Sequence, residues 1–397
     1  MKIAGIVAEY NPFHTGHLIH IESTRQAVGE DAGIVCVMSG NFVQRGEPTV
    51  YGKHARALAA VLSGADLVLE LPVPYVLSSA EGFAFGAVSL LDSLKCIDYI
   101  SFGSESGNVS QLRKTAELLL EPAMDSILRE ELSRGVSYAA ARHLAAEKLS
   151  ERKLDILKTP NNILGIEYIK AIIRLESTIQ PLTFKRVGAG HDKKEAVNGI
   201  ASASMLRKRL REGLDINGYI PEAAALVFHE EEACGRAPIF LEALETAVLS
   251  RLRSMSKEEY EALPDASEGL GLRLMKHARK EATLGSILKK VKTKRYAYTR
   301  IRRMVICAYL GIDIKARPKR PPYARVLASN MKGRGILKQI QKNMPVITKP
   351  TEAKKLPAEA ARLFELEAST TDKYVLAYPE VSKRVGGQEW IMSPKIV

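Results

Sequence analysis

Two histidines three positions apart, His14 and His17, flank Gly16 in the stretch Glu9-Tyr10-Asn11-Pro12-Phe13-His14-Thr15-Gly16-His17. Imidazoles paired in this way can hold a phosphate chain and stabilise charge that develops on it. The stretch follows an apolar run, Ile3 to Ala8, that reads as a buried first strand. It leads into Leu18 to Ala27, which reads as a helix. That turn puts the histidines at a helix N-terminus, where free N–H groups and the positive end of the helix dipole attract anions. Gly16 has no Cβ and lets backbone approach a ligand closely. The plain alternative is a turn in which Asn11-Pro12 breaks the strand and the histidines only cap. The whole string, at the first strand–helix turn of an α/β chain, favours nucleotide binding.

The elements that must position these residues follow in alternation. Gly33 to Met38 reads as a second strand, and Lys53 to Ser63 as a helix closed by Gly64. Leu67 to Leu71 is a third strand, Ser79 to Leu94 a helix, and Tyr99 to Phe102 a fourth strand ending in Gly103-Ser104-Glu105. Alternation predicts a mostly parallel sheet with right-handed crossovers, and ligands at the carboxyl ends of its strands near a topological switch. The histidine motif and Gly103-Ser104-Glu105 would then face one crevice. Gln111 to Lys153 reads as helical with a break around Gly135, and Asn161-Asn162 stand before a helix from Ile163 to Leu175. Those asparagines are either caps or ligands. Leu182 to Val187 reads as a fifth strand running into a Gly188-Ala189-Gly190-His191-Asp192 turn. Ser202, Ser204 and Arg207, at the start of a further helix, make a second phosphate grip, the alternative being a Ser-capped helix with a surface arginine.

A chain of 397 residues with 46% hydrophobic content has room for two or three domains and a substantial core. Its start lacks the pattern of a signal peptide, and no apolar run approaches the ~20 residues of a membrane helix. Cys36, Cys96, Cys234 and Cys307 are scattered, which fits a reducing cytoplasm and argues against a zinc cluster. The net charge is +13 and unevenly spread: Arg273 to Asn343 holds 21 Lys/Arg against two acids, so the remainder is acidic. After about Asn217 to Pro221 strand signals fade and helices follow, such as Ile239 to Ser254 and Lys257 to Leu263. The basic segment includes Lys289, Lys290, Lys292, Lys294, Arg295, Arg300, Arg302 and Arg303, interleaved with Tyr296 and Tyr298, and a basic loop from Arg317 to Pro322. Cations take phosphates and rings stack on bases, so this segment is expected to bind nucleic acid. The tail carries the single tryptophan, Trp390, and no functional signal.

His14-Thr15-Gly16-His17 resembles the His-x-Gly-His signature of the nucleotidylyltransferase superfamily, which shares its core with class I aminoacyl-tRNA synthetases. Ser202, Ser204 and Arg207 match the Ser/Thr-rich second half of that signature, while Ala201 and Ala203 depart from it. Asn11 stands where an Asp is usual, which favours acyl activation over ordinary nucleotidyl transfer. Longer strings occur in order: Val7 to Leu18, Met38 to Pro48, Gly64 to Pro72, Phe102 to Glu105 and Pro160 to Gly165. Together they resemble the tRNA(Met) cytidine acetate ligase family, specifically as far as about residue 210 and in basic character beyond it.

The resemblance implies a Rossmann-like parallel α/β sheet of HUP/nucleotidylyltransferase type in residues 1–217, holding ATP. It implies a basic, mainly α-helical domain in 218–397 that binds tRNA. The implied reaction activates acetate as acetyl-adenylate, releasing pyrophosphate, and passes the acetyl group to N4 of the wobble cytidine of elongator tRNA(Met). The family's nucleotide positions fall on Val7-Ala8-Glu9-Tyr10-Asn11-Pro12-Phe13-His14-Thr15-Gly16-His17-Leu18-Ile19-His20, Gly103, one of Asn161 and Asn162, and Arg186. In that reading His14 and His17 stabilise the α-phosphate and the departing pyrophosphate. Lys185, Arg186, Ser204 and Arg207 neutralise the outer phosphates. Mg²⁺ is expected to bridge phosphates, although no dedicated acidic ligand set stands out. Asn41, Gln44 and Arg45, after the second strand, could close over acetate or the target base. Two rivals remain: an adenylate-forming or nucleotidyl-transferring enzyme for a small metabolite, and a non-catalytic RNA-binding protein that holds ATP. Nothing in the residues speaks to oligomeric state.

Overall fold

The computed structural model describes residues 1–186 and 200–397. Val187 and the Gly188–Asp192 turn expected from the sequence lie outside the described residues. Among those described the strands are, in chain order, β1 (Ile3–Ala8), β2 (Gly33–Ser39), β3 (Phe42–Val43), β4 (Glu47–Pro48), β5 (Leu67–Leu71), β6 (Tyr99–Ser104), β7 (Gln180–Lys185), β8 (Ala324–Ser329), β9 (Val346–Ile347) and β10 (Lys395–Ile396). One sheet runs β10-β8-β5-β2-β1-β6-β7, with β9 beside β8, and β3 and β4 form a separate hairpin. Strands β5, β2, β1, β6 and β7 pair in parallel. β2 and β5 are buried along their whole lengths, as strands covered on both faces must be, and read as apolar runs broken only in β5 by Glu70, which pairs with Lys53. The chain builds outward from β1 to β2 and β5, then crosses back to β6 and β7. The switch point therefore lies between β1 and β6, where the histidine motif and Gly103 emerge.

Helices α1 (Thr15–Val28), α2 (Lys53–Leu62), α3 (Val73–Val76) and α4 (Ala80–Ser93) join the first strands. Helices α5 (Val109–Leu118), α6 (Pro122–Ser133), α7 (Tyr138–Ser150) and α8 (Pro160–Arg174) fill the stretch between β6 and β7. Gly135, at φ +78°, makes the expected break between α6 and α7. Next come α9 (Ala203–Arg211), α10 (Glu222–Ala233), α11 (Glu245–Ser254), α12 (Lys257–Glu261), α13 (Leu270–Ala278), α14 (Leu284–Val291) and α15 (Tyr298–Leu310). The last are α16 (Met331–Ile340), α17 (Ala358–Val375) and α18 (Gln388–Ile391). One core lies on each face of the sheet, around Val35, Leu69 and Ile166 on one side and Ile6, Met38 and Leu327 on the other. A third core gathers α11 to α15 around Leu252, Leu274, Ile287 and Met304, and takes in Tyr374 of α17.

The mainly helical reading beyond residue 217 holds from α10 to α18, interrupted by short strands that it did not foresee. Ala324–Ser329 is β8, buried at every position, and it pairs antiparallel with β5. Its sequence, ARVLAS, carries an arginine in mid-strand, which breaks the apolar run that marks a buried strand. Arg325 is tolerated because its guanidinium meets Glu389 at 3.5 Å and the Met392 carbonyl at 2.8 Å. The C-terminal segment thus returns to complete the sheet that carries the histidine motif. Among the described residues no helix is long and apolar enough to cross a membrane.

Candidate active site

His14 is the N-cap of α1, and its ring and that of His17 form a reciprocal capping box. The Gly16 N–H donates to His14 Nδ1 at 3.0 Å, and the His14 N–H donates to His17 Nδ1 at 3.2 Å. Both Nδ1 atoms are acceptors, so each neutral ring carries its proton on Nε2, a tautomer assigned from the hydrogen bonds. The rings stack at 3.8 Å. Tyr10 and Phe13 wedge against them: Tyr10 meets the His17 ring edge-on at 4.8 Å, and Phe13 is fully buried. A Cβ on Gly16 would lie 2.9 Å from His14 Cε1, so glycine is what lets the His14 ring fold back over the helix start.

Burial, then the nearby charges of Arg186 and Arg207, push His14 down to about 3. Burial, then His14 and Arg186, hold His17 well below its ordinary value. Both imidazoles are therefore neutral donors at pH 7. His20 is lowered to about 4 by burial and Arg186, and its Nε2 is committed to Ser101 Oγ at 2.9 Å. Ser101 in turn bonds Thr24 Oγ1 at 2.6 Å, so His20 ties α1 to β6.

Three other strings converge here. Arg186 follows β7, and its side chain lies across Gly103, where a Cβ would stand 2.9 Å from Arg186 Cγ. Arg207 of α9 donates to the Asn11 carbonyl at 2.8 Å. Ser202 caps α9 by accepting from the Met205 N–H, and bonds Ser204 at 3.0 Å. The Asn11 side chain is buried: its Oδ1 accepts from the Val50 N–H at 2.9 Å, while its Nδ2 has no partner among the described residues. Thr15 binds the Tyr219 carbonyl, and Glu9 accepts from the Gln44 N–H at 2.8 Å. Val7 and Ala8 end β1; Pro12, Leu18 and Ile19 frame the turn with apolar surface, Ile19 facing outward.

The two asparagines separate. Asn162 is buried and holds Ser106 N–H and Thr159 Oγ1 at 3.0 and 2.7 Å. Asn161 is partly exposed and donates Nδ2 to Glu105 at 2.7 Å. Glu105 also accepts from both asparagine N–H groups, so a carboxylate already fills the N-terminus of α8. Burial opposes its charge, but the Asn161 and Asn162 bonds keep the Glu105 carboxyl below its usual range. No spacing in the sequence marks this cap.

The loop expected to close over acetate or base is the β3–β4 hairpin, and Asn41 is not at its open edge. Asn41 is buried, donates to Thr371 Oγ1 at 3.3 Å and accepts from the Lys53 N–H at 3.0 Å. It is a positioning residue. Gln44 and Arg45 sit at the tip, followed by Gly46 at φ +72°, packed on the α15 backbone. Lys53 Nζ bonds Glu70 at 2.8 Å and Glu389 at 2.7 Å, all three buried, so the tail pins the helix that follows the hairpin. Arg56, fully buried, donates to the carbonyls of Glu9, Ser39 and Gly40. Sequence reasoning missed Lys53, Arg56 and Glu389, because their partners lie in distant segments.

The basic segment divides as well. Lys289, Lys290, Lys292 and Lys294 are exposed. The arginines are paired: Arg295 and Arg300 with Glu268, Arg303 with Asp265 at 2.8 Å, and Arg302 with Glu47 of the hairpin. Those acids precede the segment in sequence, so the segment's local charge overstates its free charge. Among the described residues no group of three or more His, Cys, Asp or Glu is placed to hold a metal ion.

Residues 1–389 match the model of the HIGH Nucleotidyl Transferase family. A tRNA(Met) cytidine acetate ligase of Acetivibrio thermocellus is 39% identical over 98% of this chain and 98% of its own. One from Caldanaerobacter subterraneus is 41% identical over 95% and 96%. The crystal structure of Thermotoga maritima TmcAL without ligand superposes with a TM-score of 0.94 at 33% identity, over the whole of both chains. The same protein bound with alpha-thio ATP superposes at 0.91, also over both whole chains.

Proposed function

The chain belongs to the tRNA(Met) cytidine acetate ligase family, within the HIGH nucleotidyl transferases, and from that premise we propose how its residues perform the ligation. It is an ATP-dependent ligase that activates acetate as acetyl-adenylate and transfers the acetyl group to N4 of the wobble cytidine of elongator tRNA(Met). The observation that supports the site assignment is the stacked, neutral His14–His17 pair, with both Nδ1 atoms occupied and Arg186 and Arg207 beside it.

A carboxylate oxygen of acetate forms a bond to the α-phosphorus, and the bond to the β-phosphate oxygen breaks, releasing pyrophosphate. Such a displacement needs positioning and charge stabilisation and no covalent enzyme intermediate. Neutral Nε2–H groups are donors aimed at charge that grows in the transition state. Arg186 and Arg207, with Lys185 and Ser204, take the outer phosphates. Asn161, with its exposed edge, is the better nucleotide ligand of the asparagine pair. Mg²⁺ would arrive on the nucleotide's phosphates, since the described residues offer no acidic cage. In the second step the cytidine N4 bonds to the acetyl carbon, AMP leaves, and the amine releases one proton. Excluding water protects the reactive adenylate meanwhile. Chemistry falls to residues 1–217 and the main RNA-binding charge to 218–397, with α16 to α18 structural to both. The setting is the cytoplasm, where tRNA and free thiols such as the four unpaired cysteines belong.

The test incubates the protein with labelled acetate and ATP, with and without tRNA. Label on tRNA(Met) is expected. Acetyl-adenylate that never reaches RNA would favour a small-metabolite ligase, and no ATP turnover under any condition would leave only a binding protein.

A further inference from the structure

A cleft of about 760 Å³ lies apart from the histidine motif, bounded by Gln44 and Arg45 of the hairpin tip, Glu81 of α4, Tyr138 and Arg142 of α7, and Arg295. Its volume is that of a small-ligand site. Its walls come from both halves of the chain. We propose that this cleft receives the unstacked nucleotides next to the cytidine being acetylated, with a base resting on Tyr138; the proposal depends on the RNA-acetylating function above.

Three features carry it. First, the cleft touches the adenylate site through two of its supports. Gln44, on its wall, donates its N–H to Glu9 of the motif at 2.8 Å, and Ile163, also on its wall, follows the Asn161-Asn162 pair on α8. RNA lodged here has its neighbouring base within reach of the adenylate, across the hairpin tip. Second, the cations of this cleft are not a bare phosphate trap. Arg142 meets Glu167 at 2.5 Å, Arg295 meets Glu268 at 2.8 Å, and Arg303 meets Asp265 at 2.8 Å. The Arg295 guanidinium, held by Glu268 and 43% exposed, offers a flat face for stacking, and Glu268 and Asp265 on the same wall accept from exocyclic amines. Those are the contacts that read splayed single-stranded bases. Third, Tyr138 opens α7 with about half its surface exposed (51%), although it is a large aromatic side chain. Exposed rings on a nucleic-acid face serve as stacking platforms tolerant of sequence. The phosphates then fall to the unpaired lysines before Arg295.

Ala139 is exposed on the same wall, so Ala139→Trp fills the cleft without disturbing a core. The measurements are acetate-dependent ATP–pyrophosphate exchange and acetyl transfer to tRNA(Met). Ala139→Trp and Tyr138→Ala are expected to raise the KM for tRNA tenfold or more while exchange stays at the wild-type rate, and Tyr138→Phe should restore the KM. A 4-thiouridine beside the target cytidine should cross-link within residues 137–143. An unchanged KM for tRNA in both variants, or loss of exchange together with transfer, would overturn the cleft assignment. Wild-type protein that exchanges pyrophosphate but never acetylates tRNA would instead overturn the function on which it rests.

Discussion

His14 and His17 are held neutral because the fold removes water from them before any nucleotide arrives. A charged imidazole beside Arg186 and Arg207 would be repelled; a neutral one still polarises a phosphate oxygen through Nε2–H. His17→Ala removes one such donor. The expected loss is about 10²–10³ in the rate of adenylate formation, the usual effect of deleting a transition-state donor. Binding of tRNA should persist, and an equal loss of both would contradict a purely catalytic role. The same burial sets a pH dependence. Burial lowers His14, and likewise the buried His54 of α2, to about 3 and His20 to about 4 in the folded chain, against about 6.5 unfolded. The unfolded state therefore binds protons first as pH falls below 6.5, and stability is lost progressively down to the folded values. Each histidine contributes up to ~1.4 kcal/mol per pH unit in that window. Denaturant midpoints should drop from pH 7 to pH 5, and His54→Asn should flatten the slope; a level profile would mean the rings are hydrated.

The hairpin from Phe42 to Pro48 is the element that ties the histidine motif to the C-terminal helices. One strand end is tied to α17 through Asn41 and Thr371, its tip backbone holds Glu9, and its far strand pairs Glu47 with Arg302. Burial and the charge of Arg45 lower Arg302 to about 10, so this guanidinium is a packed strut rather than a free phosphate ligand. The hairpin rests on the buried Lys53–Glu70–Glu389 cluster. Lys53→Met would leave two carboxylates buried with one cation, Arg325, near them, at a cost of ~3–5 kcal/mol. Thermal unfolding is the check. A change below ~1 kcal/mol would show the cluster to be wetter than its burial indicates.

Over the whole molecule, charge and topology answer different questions. The four lysines from Lys289 to Lys294 are exposed and in no ion pair among the described residues, whereas Arg295, Arg300, Arg302 and Arg303 are bound to acids from elsewhere. Replacing the four lysines by alanine should lower the salt slope of tRNA binding by ~0.7–0.9 for each phosphate they neutralise. Arg302→Ala should change stability more than that slope. An unchanged slope in the lysine variant would place the phosphate track on another face. The tail, which carries no motif, completes the sheet that bears the histidine motif: β8 and β10 extend it, and Glu389 anchors the helix behind the hairpin.

The sequence by itself determined the parallel sheet and its first strands nearly to the residue, and it named the histidines after β1 and the Ser/Arg string of α9 that the fold brings together. It could do so because these depend on local signals: apolar runs, a glycine in a turn, hydroxyls at a helix start. It also placed the motif and Gly103 in one crevice at the carboxyl ends of the strands, while the order of the strands across the sheet came from the structure. Only the tertiary structure decided which named residues are open and which are committed. Asn41, Asn162 and His20 have ligand chemistry in sequence, but each is held by hydrogen bonds within the fold. The same is true of Arg300, Arg302 and Arg303, whose acidic partners lie outside the basic run. β8 was hidden by Arg325, which is held in the buried strand by the Thr348 carbonyl and by Met392 and Glu389, more than sixty positions later. A pairing that spans such distances has no spacing rule, so a single sequence carries the partners without saying that they meet.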